Sequence, residues 1–242
     1  MNELDELNAF EAFLSGIDLD AYYKKYAHIK LVELDMPREI QPLRHLYREY
    51  WKPGRLAGLP DFESFYATYR EELKTPLVAF QTKAQFSEET FWRGLPARMY
   101  RTWASILTQI QGGYAIRTVL PGTAVEMGAE LDWKGIDIRV SPVGSEPINI
   151  QIKKETYSRE VRAPHKISKY RQTVIQLPYK LTPPQLYLRN GEKSKPYKDW
   201  ESQWGGKLKR LDNGFVVFRP RMFALDELQS AVKEQRASYR PG

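Results

Sequence analysis

The hydrophobic pattern of this 242-residue chain changes period near Gly113. Up to that point apolar residues recur every three to four positions, the spacing of a helix face. "LDELNAFEAFLSG" brings Leu4, Leu7, Phe10, Phe13 and Leu14 to one side and stops at Gly16. "DFESFYATYREELK" begins at a capping Asp61 and aligns Phe62, Phe65, Tyr66 and Tyr69. "SEETFWRGLPARMYRTWASILTQIQGG" opens on Ser87 and two glutamates, which suit the positive end of a helix dipole. Pro96 predicts a kink or a break within it, and Gly112-Gly113 its end. Beyond Gly113 the alternation has period two. "YAIRTVL", "GIDIRV", "INIQIK", "TVIQL", "LYL" and "FVVF" are strand candidates, and "ALDELQSAVKEQR" a closing helix with Leu225, Leu228 and Val232 inward. The expected fold is therefore α/β of the α+β kind, a helical N-terminal half packed with a mixed β-sheet. With no repeat and no low-complexity linker, residues 1–242 form one expected unit. Its mainly helical part is 1–113 and its mixed-sheet part 114–242.

Two further stretches interrupt the pattern. "MPREIQPLRHLYREYWKPG" reads as an irregular connection around a short helix, its aromatics belonging to the core. "NGEKSKPYKDWESQWGGKLKR" reads as a surface loop, in which Trp200 and Trp204 are packing residues.

The most informative stretch is "DWKGIDIRVSPVGSEPINIQIK", residues 132–153. Strand alternation sends Ile136, Ile138 and Val140 to one face and Asp137 and Arg139 to the other. It likewise separates Ile148, Ile150 and Ile152 from Asn149, Gln151 and Lys153. A hairpin symmetric about Gly144 sets Asp137 opposite Gln151, with Lys153 its diagonal neighbour. Asp137, Gln151 and Lys153 then share one polar face over an isoleucine-rich anchor. That is a donor set for phosphodiester hydrolysis. A carboxylate holds Mg²⁺ through oxygen, the ion activates water, and a lysine offsets charge growing on the phosphorus. The competing reading is a solvent-facing hairpin with a cross-strand ion pair. Asp132, five residues before Asp137, is either a second carboxylate for the same ion or a turn residue ahead of Gly135. Glu126 and Glu130 stand behind it as alternatives. Two lysines are adjacent, and a bulge would exchange Lys153 for Lys154.

Charge is divided unevenly along the chain. Residues 1–150 carry 17 Lys+Arg against 21 Asp+Glu, a net of −4, and residues 151–242 carry 20 against 9, a net of +11. No acidic residue falls between 161 and 191. Such asymmetry points to a polyanion, and double-stranded DNA fits it, with Lys154, Arg159, Arg162, Lys166, Lys169 and Arg171 as phosphate or base contacts. The absence of cysteine excludes disulfides and thiolate-bound zinc, and three scattered histidines do not make a metal site. The acidic start is unlike a signal peptide, and no apolar run is long enough to span a membrane, so a cytoplasmic protein is expected.

Asp137, a hairpin and then Gln151-Ile152-Lys153 resembles the PD-(D/E)xK nuclease signature, with glutamine where glutamate is commoner. Around it, "FLSGIDLDAYYKKYAHIKLVELDMPREIQPLRHLYREYWKP", "FWRGLPARMYRTWASILTQIQGGYA" and "LDWKGIDI" resemble the TaqI-like type II restriction endonucleases over most of residues 10–140. The resemblance implies a restriction-endonuclease-like core and a Mg²⁺-dependent homodimer that cuts both strands of a short palindrome. For this family the site is typically TCGA, cut to leave 5′ overhangs. It also implies that Asp132 and Asp137 are the acidic pair at the metal, and that a companion DNA methyltransferase protects the host. A structure-specific or repair nuclease of the same superfamily, and a non-catalytic DNA-binding protein, are the alternatives.

Overall fold

The computed structural model describes residues 2–154, 172–177 and 188–238. Five helices, α1 (Glu3–Ser15), α2 (Leu19–Tyr26), α3 (Leu43–Tyr50), α4 (Phe62–Glu72) and α5 (Lys74–Lys83), precede one long helix, α6 (Glu88–Val119). The capping residues read from sequence perform as expected. Asp61 accepts the Ser64 N–H at 2.8 Å, and Ser87 accepts that of Thr90 at 3.1 Å. The Leu4 side chain, placed on the inner face of α1 by spacing, is exposed, whereas Leu7, Phe10 and Leu14 are buried.

The α6 helix is the spine of the molecule. It is buried on nearly all sides from Phe91 to Ile116, as a helix must be when other elements pack all round it. It runs unbroken through Pro96 and through Gly112-Gly113, so "YAIRTVL" is its last two turns and not a strand. The two glycines close no helix because they serve close packing. A Cβ on Gly113 would lie 2.4 Å from Met127 Sδ and 2.8 Å from Trp51 Cζ3, and one on Gly112 would lie 3.2 Å from Phe218 Cδ2. At Pro96 one backbone hydrogen bond is lost, and burial along the rest of the helix outweighs it.

Beyond α6 the chain forms β1 (Ala124–Glu126), the short α7 (Ala129–Asp132), β2 (Ile138–Ser141), β3 (Ile148–Lys154) and β4 (Gln172–Leu177). These strands make one sheet in the order β1-β2-β3-β4, antiparallel except for the parallel β3–β4 pair. The mixed sheet expected from sequence is thus present. Its apolar face is the isoleucine face: Ile136, Ile138, Val140 and Ile150 are fully buried, and Ile148 and Ile152 nearly so.

The segment read as a surface loop is ordered structure. It holds β6 (Glu192–Lys193), paired with β5 (Leu188–Arg189) just ahead of it, then α8 (Lys195–Trp204), capped by Ser194. Of the strand candidate "LYL", only Leu188 lies within the described residues. Trp200 and Trp204 lie partly buried against the core, the packing role expected of them. The β7 (Leu208–Arg210) and β8 (Val216–Phe218) pair covers α6, and α9 (Leu225–Ser238) closes the described chain with Leu228 buried. No described helix is long and apolar enough to cross a membrane.

Candidate active site

The β2–β3 register pairs Ile138 with Ile150, Arg139 with Asn149 and Val140 with Ile148. Every pair is symmetric about Gly144, and the ladder ends at Ile138–Ile150, one position short of Asp137 and Gln151. Asp137 itself stands at a bend just before β2. Its N–H donates to the Ile150 carbonyl at 2.9 Å, and its Oδ2 accepts the Ile152 N–H at 2.6 Å. The carboxylate therefore replaces the main-chain carbonyl that a longer β2 would have offered, and it brackets Gln151 on both sides. A hydrogen bond from a backbone N–H to an ionised oxygen is among the stronger kinds, and it fixes the side chain against β3. Only 6% of Asp137 is exposed, so this polar face is covered rather than open to solvent as a plain surface hairpin would be.

Helix α3 packs against α6 and α7. Its Tyr47 is 5% exposed, and the hydroxyl lies 3.2 Å from Asp132 Oδ2 and 3.3 Å from Gln109 Oε1 on α6. Burial raises the Tyr47 pKa well above its usual value, and the negative charges of Asp132 and Asp137 raise it further. Both carboxylates thus act on one phenol. Asp132 ends α7, and the Gly135 N–H returns to the Asp132 carbonyl at 2.7 Å. Gly135 takes a φ of 77°, which L side chains rarely adopt, and this tight turn carries the chain from α7 into β2. The Asp132 carboxylate accepts the Tyr47 hydroxyl. Burial pushes its pKa up to about 6, and the Tyr47 hydroxyl pulls in the opposite direction. A buried carboxylate held above its usual range is a group that gains from a cation.

The other acidic alternatives lie elsewhere. Glu130 pairs with Arg44 at 2.8 Å on the surface, and Glu126 sits opposite Arg139 across β1 and β2. Among the described residues no cluster of three or more His, Asp or Glu could hold a metal. The candidate oxygen donors are Asp132 and Asp137, which both act on Tyr47, and the half-buried Gln151 amide. This set fits Mg²⁺, which prefers hard oxygen and keeps several waters of its own. Tyr47 and Gln109 were not singled out by sequence reasoning. Tyr47 was counted only among core aromatics, and its core position is what carries the hydroxyl to Asp132.

On β3, Lys153 pairs with Gln176 and Lys154 with Leu177 of β4. The offset between these two strands is constant from Asn149 to Lys154, so no bulge shifts the register there. Lys153 keeps the strand parity of Gln151, and Lys154 that of Ile150 and Ile152. Arg159, Arg162, Lys166, Lys169 and Arg171 lie outside the described residues.

Two buried carboxylates beside a mixed sheet, ahead of a basic stretch of sequence, fit a hydrolase acting on a polyanion. Comparison with known proteins narrows the class. The profile of the TaqI restriction endonuclease family matches residues 7–227. The type II restriction enzyme TthHB8I of Thermus thermophilus is 39% identical over 223 residues, covering 88% of this chain and 83% of that enzyme. The type II restriction enzyme TaqI of Thermus aquaticus is 39% identical over 226 residues, with the same coverage of both chains. No solved structure matches the chain. The chain belongs to the TaqI restriction endonuclease family. It is a type II site-specific deoxyribonuclease, a hydrolase of double-stranded DNA.

Proposed function

We propose that this enzyme cuts both strands of a short palindrome in a Mg²⁺-dependent reaction, with TCGA as the sequence suggested by its family and 5′ overhangs as the product. The observation that carries the site assignment is the anchoring of Asp137 on the Ile152 N–H beside Gln151, with Asp132 across the same Tyr47. Asp137 and Asp132 would hold the ion, and Gln151 would offer an amide oxygen to it or to a water molecule. When bound, Mg²⁺ supplies charge neutralisation at the phosphate and a more acidic water. The Gln151 amide would orient a water molecule in line with the scissile bond. Its oxygen joins phosphorus, the bond from phosphorus to the sugar oxygen breaks, and that oxygen leaves with a proton. Lys153 is the lysine of this site on strand parity, offsetting charge on the phosphorane. Lys154, Arg159, Arg162, Lys166, Lys169 and Arg171 are proposed DNA contacts. A homodimer supplies one site per strand, its two-fold axis matching that of the palindrome. The enzyme acts in the cytoplasm, as one endonuclease unit spanning 1–242, beside a methyltransferase that protects the same sequence.

Digestion of a sequenced plasmid with and without EDTA, with fragment ends mapped, tests this reading. Discrete Mg²⁺-dependent fragments ending at one palindrome are expected. Smeared products or preferential cutting of branched DNA would point instead to a structure-specific nuclease. Asp137→Ala should lose cleavage while retaining DNA binding, and unimpaired cutting would remove Asp137 from the site. Lys153→Ala should lose cleavage far more severely than Lys154→Ala, and the reverse order would move the catalytic lysine.

A further inference from the structure

Beside the acidic pair lies a basic feature on the otherwise acidic half of the chain. Trp133 follows Asp132 directly, and its indole N–H donates to Gln41 Oε1 at 2.7 Å. Gln41 is itself held through its Nε2, which donates to the Met36 carbonyl at 2.9 Å. The ring is therefore fixed by two successive hydrogen bonds. Two guanidinium groups gather on it: Arg44 Cζ is 4.8 Å from the ring centre and Arg38 Cζ 5.5 Å. Both arginines are exposed. Arg44 pairs with the exposed Glu130, a surface ion pair of the kind readily exchanged for another anion. Among the described residues Arg38 has no carboxylate within ion-pair distance. Two like charges held on one ring, with one carboxylate between them, favour a further anion at the same place.

The position of the stack decides which anion. Arg44 and Tyr47 are three residues apart on α3, hence neighbours on its surface. Tyr47 reaches Asp132 while Arg44 reaches the ring next to Asp132, so one helix braces both the carboxylate and the cations. Guanidinium forks match phosphate oxygens in a way that an ammonium does not, and a stacked fork loses little freedom on binding. We propose that Arg38 and Arg44, held on Trp133, grip a backbone phosphate of the DNA adjacent to the scissile bond. This is a positioning contact made from the helical part of the chain, and its place next to the cut rests on the assignment of Asp132 and Asp137 above.

The test is the salt dependence of DNA binding, measured in EDTA by fluorescence anisotropy with two labelled duplexes, one carrying the cleavage site and one unrelated. Each phosphate contact contributes about 0.9 to the slope of log affinity against log salt. The Arg38→Ala/Arg44→Ala variant should lower the slope by about 1 on both duplexes. The Arg38→Lys/Arg44→Lys variant should recover part of the loss, because charge returns without the fork. Circular dichroism establishes that each variant is folded. Arg70→Ala removes a similar stack, 4.8 Å over Trp92, at a site about 25 Å along α6 from Gln109, and should leave the slope alone. An unchanged slope in the double alanine variant, an equal fall in Arg70→Ala, or weakening confined to the site-bearing duplex would each overturn the proposal. Methylphosphonate duplexes, neutral at one phosphate at a time, give the location. The double variant should be indifferent to neutralisation at a phosphate next to the cut, where the parent enzyme is sensitive, and indifference only at distant phosphates would refute that placement. None of these readouts requires cleavage. If Asp137→Ala still cuts normally while the slope falls as expected, the catalytic assignment fails and the phosphate contact stands.

Discussion

Asp132→Asn should make the metal-free protein more stable while abolishing its nuclease activity. Burial raises the Asp132 pKa from 3.8 to about 6. A carboxylate whose folded pKa is raised holds its proton longer in the native state than in the unfolded chain. Stability therefore falls as pH rises from about 4 to about 6 and stays reduced above that. At about 1.4 kcal/mol per unit, the cost at neutral pH is on the order of 3 kcal/mol. Asparagine has nearly the same shape, still offers Tyr47 an oxygen, and carries no charge to desolvate. For a chain of this length a gain of that size raises Tm by roughly 6–12 °C. The assay is thermal unfolding of both proteins in EDTA across pH 4 to 8. Their difference should be close to nil near pH 4, open through the interval to pH 6 and level off beyond it. Added Mg²⁺ should then raise the Tm of the parent protein and leave that of the variant where it was, since a ligand stabilises only the state that binds it. A difference independent of pH, or an asparagine variant no more stable at pH 7.5, would refute the reasoning.

Two further substitutions probe the surroundings. Tyr47→Phe removes the hydroxyl that opposes the rise in the Asp132 pKa, so the acid limb of the cleavage pH profile should move to higher pH. The buried ring is kept, so the stability loss should be only about 1 kcal/mol, and a limb moving to lower pH would contradict the assignment. Gly113→Ala should lower Tm even though alanine is the better helix former by about 1 kcal/mol. The new methyl group would meet Met127 and Trp51 at 2.4 and 2.8 Å. Overpacking of this kind costs about 1–3 kcal/mol, and a higher Tm would show that the contact relaxes freely.

How far the sequence revealed the site depended on whether a signal was local. The hairpin register was legible because alternation and a central Gly144 are both contained within some twenty residues. The same holds for the Asp61 and Ser87 caps, each a side chain bonding three positions along the chain. The failures came where distant residues decided between two uses of one amino acid. Glycine ends helices, and it also lets other groups approach them. Only Trp51, Met127 and Phe218, packed against α6 from other parts of the chain, select the second use for Gly112 and Gly113. Tyr47 was hidden in the same way. Its spacing marks it as a core residue, which it is, but nothing near it in sequence shows that its hydroxyl ends against Asp132.

The same pattern explains why the helical part matters to a site built on a sheet. Two carboxylates five residues apart cannot meet along one extended strand without facing opposite sides of it. Here the chain solves this by ending α7 at Asp132, turning at Gly135 and bending at Asp137 before β2 begins. A turn alone would leave both groups in water, with ordinary carboxylate behaviour. What alters Asp132 is α3, which lays Tyr47 over the polar face, removes solvent from it and supplies one hydroxyl donor. Asp137 is buried as well, and its backbone donor at Ile152 offsets part of the cost. The helices therefore set the electrostatics of the site and the sheet sets its geometry. A substitution that loosened α3 from α6 would release Asp132 toward its normal pKa without touching a single residue of β2 or β3.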